Sequence, residues 1–165
     1  MKIEELKKYG IDDQIINVWK TSGHVELLPI QERAVVRGKV LEGKSAVVFS
    51  PTSSVKTFVG EMAAIKTARQ LRRVIYLVPQ KALAEEKYHE FHKRYTRFGM
   101  RVVVSTRDHR EFDQDIYQGR FHIAVVVFEK MKSLLVKKGL IFQGYENRHY
   151  GRLNEGGVMH EYISS

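Results

Sequence analysis

Residues 46–57, Ala-Val-Val-Phe-Ser-Pro-Thr-Ser-Ser-Val-Lys-Thr, pass from an apolar run into small polar residues and close on Lys-Thr. A buried strand that turns tightly into a helix leaves backbone N–H groups pointing outward at the helix start, where a phosphate can be held. In that setting the Lys56 ammonium meets the β- and γ-phosphates of a nucleotide and the Thr57 hydroxyl meets a magnesium ion. Against the spacing Gly-x-x-x-x-Gly-Lys-Ser/Thr, the two glycine positions hold Ser50 and Val55. A β-branched residue held at positive φ costs roughly 1–3 kcal/mol. Val55 is therefore expected to be strained, to crowd the β-phosphate, and to weaken or abolish binding of nucleotide and Mg2+. Gln31 adds a second polar candidate, because its carboxamide offers one donor and one acceptor edge, as adenine does. Its ordinary alternative is a solvent-facing glutamine on a surface helix.

The flanking elements must position these groups. Ser45–Phe49 reads as the strand that feeds the loop, and residues 58–71 as a packed helix with Phe58, Met62, Ile65, Ala68 and Leu71. Residues 74–78 are almost uninterruptedly apolar, as a parallel strand covered on both faces requires. A helix over 82–98 capped by Gly99, a strand over 102–104, a polar stretch over 107–119, a strand over 123–127 and a helix over 128–138 ended by Gly139 complete the alternation. Upstream, apolar spacing from Ile3 to Trp19 predicts two short helices, the second N-capped by Asp12. Pro29 opens a further helix to about Leu41, stopped at Gly43. Strands alternating with helices predict an α/β fold with a mostly parallel central sheet and helices on both faces. The expected division is a helical segment over 1–22, one nucleotide-binding α/β domain over 23–140, and a poorly ordered polar tail over 141–165. In that tail Val158, Tyr162 and Ile163 could still dock as a short strand or helix.

With 165 residues and 43% hydrophobic content, one proper core is expected. The 28 Lys and Arg against 19 Asp and Glu give a formal charge of +9, which favours an anionic partner over a purely solvated basic face. Cysteine is absent, which excludes disulfides, thiolate zinc sites and a cysteine nucleophile. No apolar run approaches the length of about 18 residues that spans a membrane, so a cytoplasmic or nuclear location is expected.

Several stretches taken in order then resemble a family. Leu27-Leu-Pro-Ile-Gln31, Ser50-Pro-Thr-Ser-Ser-Val-Lys-Thr57, Val78-Pro-Gln-Lys-Ala-Leu-Ala-Glu-Glu-Lys87, Val104-Ser-Thr-Arg-Asp108 and Val127-Phe-Glu-Lys-Met-Lys-Ser-Leu-Leu135 resemble the first RecA-like half of a superfamily 2 DEAD/DExH-box helicase of the Ski-two-like branch. The resemblance covers residues 24–138 and rests on order and spacing. It implies a three-layer RecA-like (P-loop NTPase) domain that uses ATP and Mg2+ and partners single-stranded DNA or RNA. It assigns Gln31 to adenine, Ser53, Ser54, Lys56 and Thr57 to the triphosphate, and Thr57 to the metal. Pro79, Lys81 and Ala82 are assigned to the nucleic-acid backbone, with Lys130 and Ser133 further along the same groove. The ordinary reading of the last two is a charged helix surface.

The sequence also departs from that pattern. Arg107 stands for the glycine of a Ser-Thr-Gly-Asp-like block, and Val127 for a small polar residue before Phe-Glu-Lys. Between Phe142 and Ser165 no apolar strand is expected to lead into the paired carboxylates that hold the metal. The second RecA-like half, which supplies the arginine finger, does not lie within these residues. No catalytic residue is assigned, and turnover by these residues alone is not expected. Two classes of function remain: a fragment or degenerate form of an ATP-dependent helicase, possible as part of a longer protein, or a non-catalytic α/β binding module on the same scaffold.

Overall fold

The computed structural model describes residues 1–49, 53–137 and 158–160. The chain divides into two compact units, Met1–Lys66 and Thr67–Ser165.

The first unit opens with a 3-10 helix over Ile3–Tyr9, followed by helix α1 (Asp13–Thr21). Asp12 caps α1 as its sequence position predicts, accepting a hydrogen bond from the Ile15 N–H at 3.1 Å. Ile3, Leu6, Ile15, Ile16 and Trp19 are buried, which is the apolar stripe read from the sequence. Helix α2 (Pro29–Val36) begins on Pro29 but stops five residues short of the expected Leu41. The backbone there leaves no room for a side chain at residue 38, since a Cβ on Gly38 would lie 2.6 Å from the Ala34 carbonyl oxygen. Lys39 then turns to φ 52°, and a single 3-10 turn over Val40–Glu42 ends at Gly43. Helix α3 (Ser53–Arg69) starts earlier than the sequence predicted and packs on α1 through Phe58. The Phe58 ring meets Trp19 edge-on at 5.4 Å and stacks on the His24 imidazole at 3.8 Å.

One expected strand does not form. Residues 44–49 are irregular, and Val47 and Phe49 are 77% and 83% exposed. An apolar run becomes a strand only where a neighbouring strand accepts its ladder, and 45–49 enters no ladder.

The second unit carries the sheet. Strands β1 (Val74–Val78), β2 (Val102–Ser105) and β3 (Ile123–Val127) fall within a residue of their expected limits. The short β4 (Val158–His160) joins them, so that the order is β2-β3-β1-β4 and every pairing is parallel. β4 takes up the docking alternative left open for Val158; Tyr162, Ile163, Lys138 and Gly139 lie outside the described residues. A strand therefore does lie between Phe142 and Ser165, beside β1. It leads in sequence to a single Glu161 rather than to paired carboxylates.

Alternation along the strands sorts the side chains to two faces. Ile75, Leu77, Val103, Ala124 and Val126 form one core with Ile116 of helix α5 (Asp113–Tyr117) and Met131 and Leu134 of helix α6 (Phe128–Lys137). The other face meets helix α4 (Lys81–Tyr95), whose Phe91 ring lies edge-on to Tyr76 at 5.2 Å. A mostly parallel sheet with helices on both faces is the α/β architecture that the apolar runs predict. Helix α5 was missed because residues 107–119 look polar. The signal was Phe112, Ile116 and Tyr117 at helical spacing, closed by Gly119 at φ 66°. No helix among the described residues is long and apolar enough to cross a membrane.

Candidate nucleotide and nucleic-acid site

The candidate nucleotide residues cluster at the start of α3. Ser53 and Ser54 open its first turn, Val55 follows buried, and Lys56 and Thr57 come next, each half-buried. The N–H groups of a first helical turn have no partners within the helix, and the helix dipole favours an anion there. An ammonium and a hydroxyl one turn further in are a donor set that fits a triphosphate with magnesium. The structure overturns the expected strain at Val55, which lies inside the helix and is not among the described non-glycine residues with positive φ, Lys39 and Leu71. The helix begins at Ser53, so residue 55 needs no glycine conformation.

Gln31 is not on the surface. It is 4% exposed, and its carboxamide bridges two helices. Its Oε1 accepts from the Leu28 N–H at 2.9 Å, which caps α2, and its Nε2 donates to the Val55 carbonyl at 3.3 Å. Each end of the amide thus already serves one protein bond, with one donor and one lone pair left over.

The candidate nucleic-acid residues gather at the carboxyl ends of the parallel strands, where α/β folds place their ligands. β1 delivers Pro79–Ala82, β2 delivers Thr106–Asp108, and β3 delivers the first two turns of α6 with Lys130 and Ser133. Pro79, Lys81 and Ala82 are exposed, and Gln80 makes no capping hydrogen bond to α4. That helix start is therefore open to an anion.

Both lysines, however, have acidic partners from the segment after β2. The Lys81 ammonium donates to Asp108 and lies 3.6 Å from Glu85. The hydrogen bond from Lys81, with its charge, holds the Asp108 carboxyl below the usual carboxylate range, and the same bond raises Lys81. Lys130 has a side chain only 13% exposed, with Nζ 2.6 Å from Asp113 Oδ2, while the other Asp113 oxygen accepts from the buried Ser105 hydroxyl at 2.6 Å. The spacing of the lysines gave no sign of these aspartates, which come from a stretch read as polar loop. Next to them His109 bonds Glu111 at 2.8 Å and lies 3.5 Å from Glu85. The hydrogen bond to Glu111 raises the imidazole above its ordinary value, with the charges of Glu111 and Glu85 adding to it. A cleft of about 250 Å³ opens beside Lys130 and Ser133, and Arg107 and Arg110 also line it.

Comparison with known proteins agrees with this arrangement. Residues 28–151 match the DEAD/DEAH box helicase family. The chain is 44% identical over 136 residues to the ATP-dependent DNA helicase Hel308 of Thermococcus kodakarensis, covering 82% of this chain and 12% of that protein. It is 38% identical over 128 residues to Hel308 of Methanocaldococcus jannaschii, covering 74% of this chain and 10% of the relative. Against Hel308 of Pyrococcus horikoshii the identity is 39% over 136 residues, covering 82% of this chain and 18% of the relative. The chain thus spans less than a fifth of the length of these relatives. The matched region holds α2, α3 and the strands that deliver Pro79–Ala82, Asp108 and Lys130 to one edge, and the chain belongs to the DEAD/DEAH box helicase family.

Proposed function

We propose that this chain is the nucleotide- and nucleic-acid-binding first half of an ATP-dependent DNA helicase, as a fragment or a degenerate form, with a partial phosphate loop and a basic strand-binding edge. The observation that carries this reading is the parallel sheet, which brings the starts of α4 and α6 and the segment after β2 to one edge in a family member of net charge +9. Ser53, Ser54, Lys56 and Thr57 hold the triphosphate through the start of α3, and the Thr57 hydroxyl is the magnesium ligand. Bound Mg2+ would neutralise phosphate charge. Gln31 acts on adenine with the donor and lone pair left after it bridges α2 and α3. Pro79, Lys81, Ala82, Lys130 and Ser133 lie along the path of a single strand. Binding of ATP and Mg2+ is weak, because the strand that would feed the phosphate loop does not form over residues 45–49 and the Gln31 amide already spends one donor and one lone pair within the protein. Turnover needs an acidic metal ligand and an arginine finger that these residues do not supply, and a cytoplasmic or nuclear setting suits the whole.

The second reading is a non-catalytic binding module, and the bridged Gln31 amide and unformed strand over 45–49 favour it. Titration calorimetry with Mg-ATP separates the two. Heat that Lys56→Ala abolishes supports the first reading. A flat titration by a chain that still binds an oligonucleotide supports the second.

A further inference from the structure

We propose that the cleft between the segment after β2 and the first turns of α6 is a phosphate subsite for a nucleic-acid strand in which Arg107 and Arg110, rather than Lys130, are the contacting cations. This rests on the nucleic-acid reading above and names the residues that carry it out. Cations at this edge fall into two kinds. The two lysines already have carboxylate partners, Lys81 with Asp108 and Lys130 with Asp113. For Lys130 the pairing is mostly buried, and Ser105 holds the same aspartate in place. Pulling that ammonium onto a phosphate would leave Asp113 charged and without its cation, which is costly away from water.

The two arginines are exposed and line the cleft. Arg110 donates through Nε to the Arg107 carbonyl at 3.1 Å, which fixes its stem and leaves the two Nη groups to form a fork. A guanidinium fork suits two phosphate oxygens at once, and it is more weakly hydrated than an ammonium. Ser133 and Glu129 line the same space. After Asp113 cancels Lys130, the two arginines outweigh Glu129 and the cleft keeps a positive balance. Arg107 stands where the helicase resemblance has glycine, so the added cation is a feature of this chain and not of the shared pattern.

The experiment is a fluorescence-anisotropy titration of a labelled single-stranded oligonucleotide with the 165-residue chain across a salt series. Each phosphate contact on a single strand contributes about 0.7 to the slope of log affinity against log salt, so Arg107→Ala/Arg110→Ala should lower that slope by about 1.4 and the affinity by about ten-fold near 0.1 M salt. The control is Arg72→Ala/Arg97→Ala, an equal change of charge at exposed residues before β1 and β2, the opposite ends of those strands. It should shift affinity by less than about two-fold. Both variants alter exposed side chains, and an unchanged circular-dichroism melt verifies that they fold. If the unaltered chain binds and the Arg107/Arg110 variant keeps its slope, or if the control loses as much, the cleft is not a phosphate subsite although the nucleic-acid reading stands. If the unaltered chain binds no oligonucleotide, both fail.

Discussion

Replacing Val55 with glycine and with alanine decides whether this position is a strained loop or an ordinary helical one. In the structure Val55 lies in α3 with 9% of its surface exposed. Val55→Ala removes two buried methyl groups, worth about 1.5–3 kcal/mol with the cavity they leave. Val55→Gly loses the same contacts and adds a helix penalty relative to alanine of about 0.5–1 kcal/mol, at the low end so near the helix start. The expected order of stability is therefore valine, then alanine, then glycine. The valine-to-glycine loss is roughly 2–4 kcal/mol, a fall in melting temperature of about 5–15 °C for a chain of this size. Thermal melts followed at 222 nm give the order directly. A residue at positive φ would behave oppositely, because alanine would keep the strain and glycine would relieve it, so that glycine melts above alanine. That inversion, above all with tighter Mg-ATP binding by calorimetry, would refute the helical assignment. Equal nucleotide affinity in the glycine and alanine variants is the expected companion result.

Asp113→Ala should destabilise the second unit by about 1–3 kcal/mol, since it leaves the mostly buried Lys130 ammonium and the Ser105 hydroxyl without their acceptor. A melting temperature unchanged within about 1 °C would show that the pair is not formed. Adding Lys130→Met to that variant should recover part of the loss, because it removes the unpaired charge. The His109 imidazole should titrate above 6.5 in a two-dimensional NMR series, and Glu111→Gln should bring it down. Because the folded value is the higher one, the stability His109 contributes is fully present below pH 6.5 and is lost as pH rises through the folded value. An imidazole that titrates at or below 6.5 in the unaltered chain would rule out the bond to Glu111.

The sheet was legible in the sequence because its strands are apolar on both faces, a pattern local to each run. β1, β2 and β3 follow directly from the apolar runs over residues 74–78, 102–104 and 123–127, the second gaining one residue, Ser105. The Asp12 cap and the Pro29 helix start were legible for the same reason, since each depends on a few neighbouring residues. The run over 45–49 is equally apolar and forms no strand, because a strand needs a partner that its own residues cannot specify. Helix limits moved where one atom decided them, as at Gly38, where a Cβ would lie 2.6 Å from the Ala34 carbonyl oxygen. The site divides along the same line. Sequence alone named Lys56 and Thr57, and it named Lys81, Lys130 and Ser133 through the order of their stretches. Only the tertiary structure turned the Gln31 amide inward to bridge Leu28 and Val55, and set Asp108 and Asp113 on the lysines. Those contacts join residues 17 to 27 apart in the chain or close a buried bridge between helices, and they follow from where the folded backbone brings each side chain, which spacing does not encode.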